Sequence, residues 1–97
     1  MASRLTDDEV ANAEAAIKHA QSVRRLHRRT TDRANRARQN DIKVALQRLK
    51  STMSPIRRYL SSCYYGPQTA VTMLRKDQIS QLSKAMQAER RKLFKMQ

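Results

Sequence analysis

Apolar residues recur at alternating spacings of four and three through the middle of the chain. The positions are Ile42, Leu46, Leu49, Met53, Ile56, Leu60 and Cys63. This alternation marks one face of an α-helix, and its persistence over three heptads is typical of helices that pack on other helices. We therefore predict one long helix over residues 32–63, roughly 48 Å in length, with a local bend at Pro55.

A second helix is predicted before this seam. Thr6 and Glu9 have the spacing of a capping box, and Leu5 and Val10 stand where a hydrophobic staple would form. The apolar stripe that follows is small and shallow: Val10, Ala13, Ala16, Ile17, Ala20, Val23 and Leu26. Thr31 or Asp32 then caps the long helix. Alanine-rich faces let helices approach closely, so this pattern favours an antiparallel pair.

After the seam, Gly66 and Pro67 are expected to end the long helix. A short helix is predicted through Val71 and Leu74, and Asp77 is placed to cap a last one. The apolar face of that last helix comprises Ile79, Leu82, Met86, Leu93 and Met96. Because Gly66 is the only glycine in the chain, a turn-rich β fold is disfavoured.

The predicted fold is all-α, a long antiparallel helical hairpin with short C-terminal helices. Large apolar residues are few, so a hairpin of this size has a thin core. We therefore expect it to dimerise. The predicted organisation is a helical dimerisation domain over residues 1–75, followed by a basic C-terminal helix over residues 76–97. That helix either packs on the dimer or stays mobile.

The charge of the chain points to a polyanionic partner. Lys and Arg number 21 against 8 Asp and Glu, a formal net charge of +13, and residues 15–76 hold 15 of the cations but only 2 acids. Such a density repels itself in a compact monomer. Nucleic acid is the first candidate and an anionic membrane surface the second. One cysteine, no leader-like segment and no long apolar run predict an intracellular protein that does not span a membrane.

Opposite the seam, the long helix carries a ribbon of short polar side chains edged by cations. The ribbon comprises Asn40, Gln47, Ser51, Ser54 and Arg58, and the adjacent row comprises Lys43, Lys50 and Arg57. Cations suit phosphates, and small polar groups suit the 2′-hydroxyls of the shallow minor groove of A-form RNA. The plain alternative is a solvated helix face. We predict instead that these eight residues bind nucleic acid.

Seven arginines cluster where the first two predicted helices meet: Arg24, Arg25, Arg28, Arg29, Arg33, Arg36 and Arg38. Since they wind around two helix ends, they cannot all face one partner. Some of them are expected to bind phosphate while the rest contribute only to the positive field, and we predict contacts from Arg28 and Arg36.

Catalysis has no support in the sequence. The chain contains no HExxH, GxxxxGK[ST] or CxxC motif and no paired carboxylates. His19 and His27 are expected to face solvent or phosphate, and Cys63 occupies a seam position typical of a small core residue. We predict a binding protein with no enzymatic activity, no cofactor and no metal.

The stretch NDIKVALQRLKSTMSPIRRYLSSCYYGPQTAVTML, residues 40–74, resembles the second and third helices of the small RNA-silencing suppressor proteins of the alphanodaviruses. The shared features are a long helix with a spaced apolar seam, an arginine nine residues before a proline, and an apolar, alanine-containing segment after that proline. Here the arginine is Arg58 and the proline is Pro67. The resemblance covers 35 of the 97 residues.

The resemblance implies a homodimer whose antiparallel four-helix bundle lies along one side of double-stranded RNA and contacts its backbone without reading sequence. It implies a viral protein of the host cytoplasm that shields long double-stranded RNA from Dicer and sequesters small interfering duplexes. Whether Dicer itself is also a partner is left open. Arg58 matches the key arginine of the family.

Three other matched positions depart from the family. Gly66 stands in place of a basic residue before the proline. Ser51 stands in place of a central lysine, whose contact Lys50 or another neighbour would supply. Asn40 stands in place of an arginine near the start of the helix, which Arg36 or Arg38 would replace. The set of contacts therefore differs in this chain, while the excess of positive charge is retained.

Three other functions stay open. The first is a host or bacterial helical protein that binds DNA or a ribosome and has no role in antiviral defence. The second is an amphipathic protein of membrane surfaces, which the lack of Trp and Phe on the apolar stripes disfavours. The third is a structural adaptor whose seam pairs with a partner coiled coil.

Overall fold

The structure, a computed structural model, describes residues 5–28, 39–65 and 70–97, apart from the side chains of Arg28 and of residues 64–73. These residues form three α-helices: α1 spans Asp7–Arg28, α2 spans Gln39–Tyr65 and α3 spans Ala70–Phe94. The all-α prediction is confirmed. The predicted caps Thr31 and Asp32, and the predicted stop at Gly66 and Pro67, lie outside the described residues.

Contacts near the helix ends show the relative directions of the three helices. At one end, the Nη2 of Arg75 in α3 donates to the carbonyl of Leu5, just before α1, at 2.8 Å. At the other end, the Nε2 of Gln39 at the start of α2 donates to the carbonyl of Met96, just after α3, at 3.4 Å. Helices α1 and α3 therefore run parallel, and α2 runs antiparallel to both, in a bundle of 54 × 21 × 18 Å.

The seam of α2 lies in the core. Five of its seven predicted positions are buried: Ile42, Leu49, Met53, Ile56 and Cys63. Leu46 and Leu60 pack at the edge of the core and are only partly buried, whereas Ala45 and Tyr59 are buried instead. The difference arises because α2 packs on two helices at once, so its buried stripe is wider than a two-helix seam. The helix continues through Pro55.

Helix α1 packs through its small residues. Ala13, Ala16 and Ala20 have no exposed surface, and Val23 is buried beside them. Alanine at the contact allows the backbones to approach closely, which suits the crowded interior of three helices. The predicted stripe ends there, since Leu26 is 48% exposed.

The C-terminal part differs from the prediction of short helices. One helix, α3, runs for 25 residues and passes through Asp77 without a break. The physical reason is that no glycine or proline interrupts residues 70–94 and most of these residues are good helix formers. Ile79, Met86 and Leu93, seven residues apart, are buried against the other two helices.

Helix α3 removes the need for a second copy to complete the core. A two-helix hairpin was expected to need a second copy to cover its seam. In the bundle α3 covers it within one chain, where the core residues Ile42 and Ile56 have no exposed surface. The thin core therefore no longer requires dimerisation.

The start of α1 has the predicted capping box. The backbone N–H of Glu9 donates to Thr6 Oγ1 at 3.1 Å, and the backbone N–H of Thr6 donates to Glu9 Oε1 at 3.0 Å. Leu5 is buried and Val10 partly buried, as a hydrophobic staple requires. The backbone hydrogen bond from Thr6, with a further one from its hydroxyl, lowers the pKa of the Glu9 carboxyl below its ordinary value.

Substitution Thr6→Ala should reduce the free energy of unfolding by about 1 kcal/mol at neutral pH. Because the folded-state pKa of Glu9 is lowered, the stabilisation by its carboxylate is present above the unfolded value of 4.5 and is lost as the pH falls through the folded value. The difference in free energy of unfolding between the wild type and Thr6→Ala should therefore become smaller in acid. Urea titrations at about pH 7 and pH 3 measure this difference. Ser22→Ala, an exposed change within α1, is the control, and an equally large gap at both pH values would contradict the role of Glu9.

Candidate nucleic-acid interface

The side of α2 turned away from the core carries the predicted short polar residues. All five are exposed, and we call them the polar face: Asn40, Gln47, Ser51, Ser54 and Arg58. Spacings of three, four and seven residues return to the same side of a helix, here the side opposite the seam. The polar face runs about 27 Å along the helix.

A row of cations runs beside the polar face, where α2 meets α3. Lys43, Lys50 and Arg57 are exposed and stand seven residues apart, so each lies nearly above the last, about 10 Å along the helix axis. Lys43 and Lys50 line one part of the groove between the helices, and Lys50 and Arg57 line the next. Arg90 of α3 lines both parts. We call these four cations the basic groove.

The other side chains that line the basic groove are uncharged. They are Leu46, Gln47, Leu49, Met53, Ser54, Phe94 and Gln97. Within the described residues, no Asp or Glu side chain contributes to this lining. Cations beside partly apolar walls, with no acidic side chain between them, concentrate a positive potential in the groove. An extended polyanion therefore finds both charge and space there.

The charge of the bundle is unevenly shared among the helices. Helix α1 balances four cations with four acids, whereas α2 has five cations and one acid, and α3 has six cations and two acids. The positive charge of the described helices therefore comes from α2 and α3, which form the two sides of the basic groove. The neutral α1 packs against both of them.

The hydroxyl of Ser51 is partly used within α2. Its Oγ donates to the carbonyl of Arg48 at 3.3 Å, and the Oγ1 of Thr52 donates to the same carbonyl at 2.7 Å. The lone pairs of the Ser51 oxygen stay available on the exposed side, where they can accept a hydrogen bond from a 2′-hydroxyl. Ser51 is thus oriented as an acceptor.

The charge of Arg58, on the polar face of α2, acts on the acidic start of α1. Hydrogen bonds from Thr6 are the main cause of the lowered pKa of Glu9, and the positive charge of Arg58 adds a smaller effect. Part of the field of Arg58 is therefore offset by the acidic start of α1. The basic groove, by contrast, has no acid in its described lining.

Two predicted contact residues cannot be placed. Arg36 lies outside the described residues, and Arg28 ends α1 with a side chain that is also outside them.

Of the arginine cluster, Arg24 has an internal role. Its Nε and Nη2 donate to the two carboxylate oxygens of Glu89 at 2.7 and 2.9 Å. The pair connects α1 to α3, so Arg24 is engaged inside the bundle.

Sequence reasoning missed the contribution of α3. Arg90 lines the basic groove beside Lys50, and Phe94 lies at its end beside Lys43. The weak signal was the pairing of Arg90 with an aromatic residue four positions later, which places both on one helix face. A second basic hollow joins the ends of α1 and α3, and its lining comprises Arg24, His27, Lys92, Lys95 and Met96.

Other chemical features of the described residues can be stated briefly. No group of three or more His, Cys, Asp or Glu among them is arranged to hold a metal ion. His19 and His27 are partly exposed, and Cys63 is buried. Burial raises the pKa of the Tyr59 phenol, and its hydrogen bond with Cys63 adds to the effect. Within the same ranges, no helix is long and apolar enough to cross a membrane.

The chain matches no protein-family model, no curated protein and no solved structure. Its function is therefore inferred from the side chains of the polar face and the basic groove, together with the resemblance in residues 40–74.

Proposed function

We propose that this protein binds double-stranded RNA independently of sequence, through the basic groove and the polar face of α2. The observation that carries the proposal is the placement of two kinds of group side by side. Four cations line a groove without an acid in its described lining, and a line of short polar side chains borders it. Cations in a row bind phosphates along a strand, and the salt dependence of such binding is steep.

Double-stranded RNA is favoured over DNA by the short polar groups. Ser51, Ser54 and Gln47 are too short to reach into a deep groove, but they can exchange hydrogen bonds with groups at a shallow one. The minor groove of A-form RNA is wide and shallow and presents 2′-hydroxyls, which DNA lacks. Readout of this kind follows the shape of the duplex and is indifferent to its sequence.

The biological role that we propose is viral suppression of RNA silencing in the host cytoplasm. A protein that covers the backbone of long double-stranded RNA shields it from Dicer, and one that holds short duplexes sequesters small interfering RNA. Support comes from the resemblance of residues 40–74 to the alphanodavirus suppressors. Arg58, which matches the key arginine of that family, is exposed on the polar face. No chemical step is part of this role.

The homodimer implied by the resemblance belongs to the same proposal, with residues 1–75 as its dimerising part. Because α3 covers the seam of α2 within one chain, a dimer of this bundle has to use an outer face. Two copies whose polar faces both lie along one duplex would double the length of backbone contacted. Light scattering on the free protein measures this directly, against 11.3 kDa for one chain.

The rival of the same charge is a helical protein that binds DNA or a ribosome without a role in antiviral defence. A gel-shift titration at about 150 mM salt separates them, with one sequence presented as duplex RNA, duplex DNA and single-stranded RNA. We expect duplex RNA to bind at least about tenfold more tightly than the other two, since each lost hydrogen bond to a 2′-hydroxyl costs about 1 kcal/mol.

Equal affinity for all three nucleic acids would contradict the proposal and identify the net charge as a generic attraction. If duplex RNA is preferred, protection of long duplex RNA from purified Dicer is measured next. Binding without protection would refute the shielding of long duplex RNA and leave duplex recognition standing. Flotation with anionic liposomes tests the membrane-surface alternative. We expect the protein to show no preference for liposomes over RNA.

A further inference from the structure

An exposed aromatic ring lies at one end of the basic groove. Phe94, the last residue of α3, is 49% exposed and lines the groove together with Lys43 and Gln97. The guanidinium carbon of Arg90 lies over this ring, 5.4 Å from its centroid. The ring is therefore flanked by positive charge and still open to solvent.

The position of this ring is not explained by the core. Leu93, the neighbouring residue, fills the core position and has no exposed surface. The other large apolar residues that are exposed in the described part of the chain are Leu26, Val44 and Leu74, and none of them lines the groove. Phe94 is thus an exposed flat apolar surface at one end of the basic groove.

Flat aromatic surfaces flanked by cations suit nucleobases. Base–aromatic stacking is tolerant of sequence because every base has a π-face, and arginine adds a cation–π contribution. Inside a duplex, however, each base is covered on both sides by its neighbours. A base can offer a free face to a protein only at the end of a duplex or where the strand is unpaired.

We propose that Phe94, held by Arg90, stacks on a nucleobase at the end of a bound RNA duplex. The base is either an unpaired overhang nucleotide or the terminal pair, and the basic groove holds the adjacent phosphates. This inference rests on the proposed binding of double-stranded RNA. It adds that short duplexes with free ends are bound more tightly than internal stretches of a long duplex.

The test uses short RNA duplexes in which 2-aminopurine replaces one base, since the fluorescence of this analogue reports on stacking. The label is placed in a two-nucleotide 3′ overhang, in the terminal pair of a blunt duplex, or in an internal pair. Each duplex is titrated with the wild-type protein and with Phe94→Leu, Phe94→Tyr and Leu74→Ala. The last is a control for loss of an exposed apolar group on the same helix, about 30 Å away.

We expect Phe94→Leu to weaken binding of the end-labelled duplexes by about fivefold to thirtyfold and to abolish the fluorescence response. Phe94→Tyr should retain both, Leu74→Ala should resemble the wild type, and binding of long duplex RNA should not change. A response from the overhang label alone, from the terminal-pair label alone, or from both identifies the base that is stacked, and each supports the inference.

The inference is overturned if the internal label responds as strongly as the end labels, or if Phe94→Leu binds short and long duplexes as the wild type does. In either case duplex binding itself, read from the wild-type titrations, would stand. If the wild-type protein binds no duplex at all, the proposed function fails together with the inference. Circular dichroism checks that Phe94→Leu keeps its helices, which is expected for a half-exposed residue.

Discussion

Replacing all four cations of the basic groove with glutamine should weaken binding of duplex RNA by about 10²- to 10³-fold at about 150 mM salt. Each phosphate contact contributes about 0.9 to the slope of log K against log salt, which amounts to about fivefold in affinity per contact at this concentration. The variant is K43Q/K50Q/R57Q/R90Q. The slope itself should fall by about 3 to 4. Titrations at several salt concentrations measure both quantities.

A variant of equal charge controls for the general field of the protein. K18Q/R25Q/R48Q/K84Q also removes four cations, all of them exposed and outside the groove. It should lose much less affinity and most of its slope should remain. Equal losses in the two variants would mean that the net charge of +13 acts without a defined site. Both variants should be as stable as the wild type, since glutamine is a good helix former and like-charge repulsion is relieved.

Arg58→Gln gives a useful comparison within α2. The resemblance assigns the central contact to Arg58, whose charge also acts on Glu9 at the acidic start of α1. Arg57, by contrast, lines the groove. Each single change should weaken binding to every duplex sequence by a factor that does not depend on the sequence, because both side chains contact the backbone. A loss confined to particular sequences would indicate base readout. The larger loss is expected for Arg57→Gln.

The sequence predicts α2 and its polar face well, for a simple reason. The seam consists of large apolar residues that bury themselves on one side of a helix, and the helical period then fixes what the opposite side carries. Asn40 and Arg58 are exposed because Ile42 and Leu49 are buried. The prediction failed only at the edges of the stripe, where packing on a second helix decides whether a residue such as Leu46 is buried.

The docking of α3 against the other two helices, by contrast, could not be predicted, although its apolar face was. Two of its core-facing positions hold Ser83 and Glu89, which are 6% and 5% exposed. Polar residues at these positions weaken the period that marks a core helix, and the partner that neutralises Glu89 lies 65 residues away in sequence. The basic groove depends on this docking, because Arg90 and Phe94 reach α2 only through it. The contribution of Arg90 and Phe94 to the candidate site was therefore not predicted from the sequence.

The ion pair between Arg24 and Glu89 leads to the largest expected effect on stability. The Nε of Arg24 lies 2.7 Å from Glu89 Oε2, and the two side chains are only 17% and 6% exposed. Both nitrogens of the guanidinium edge are used, so the contact is bidentate. Removing one partner of such a pair leaves the other charged and poorly solvated. Salt screens it little, because the pair is mostly shielded from solvent.

We expect Glu89→Leu to lower the free energy of unfolding by about 3 kcal/mol, a large share of the roughly 5–15 kcal/mol typical of a domain. The melting temperature should fall by about 10 to 20 °C. The double variant Arg24→Met/Glu89→Leu should recover most of this loss, because apolar residues of similar volume replace both charges at once. Thermal melts at low and high salt should give nearly the same difference for each variant.

The same variants connect the stability of the bundle to its proposed function. Glu89 precedes Arg90, so loosening α3 withdraws Arg90 and Phe94 from the row formed by Lys43, Lys50 and Arg57. Glu89→Leu should therefore weaken duplex RNA binding and lower the salt slope by about 1, although residue 89 faces away from the groove into the bundle. The double variant should restore both stability and binding. If the double variant restores stability but not binding, the Arg24 charge itself contacts RNA. If Glu89→Leu leaves the melting temperature unchanged, α3 docks without this pair.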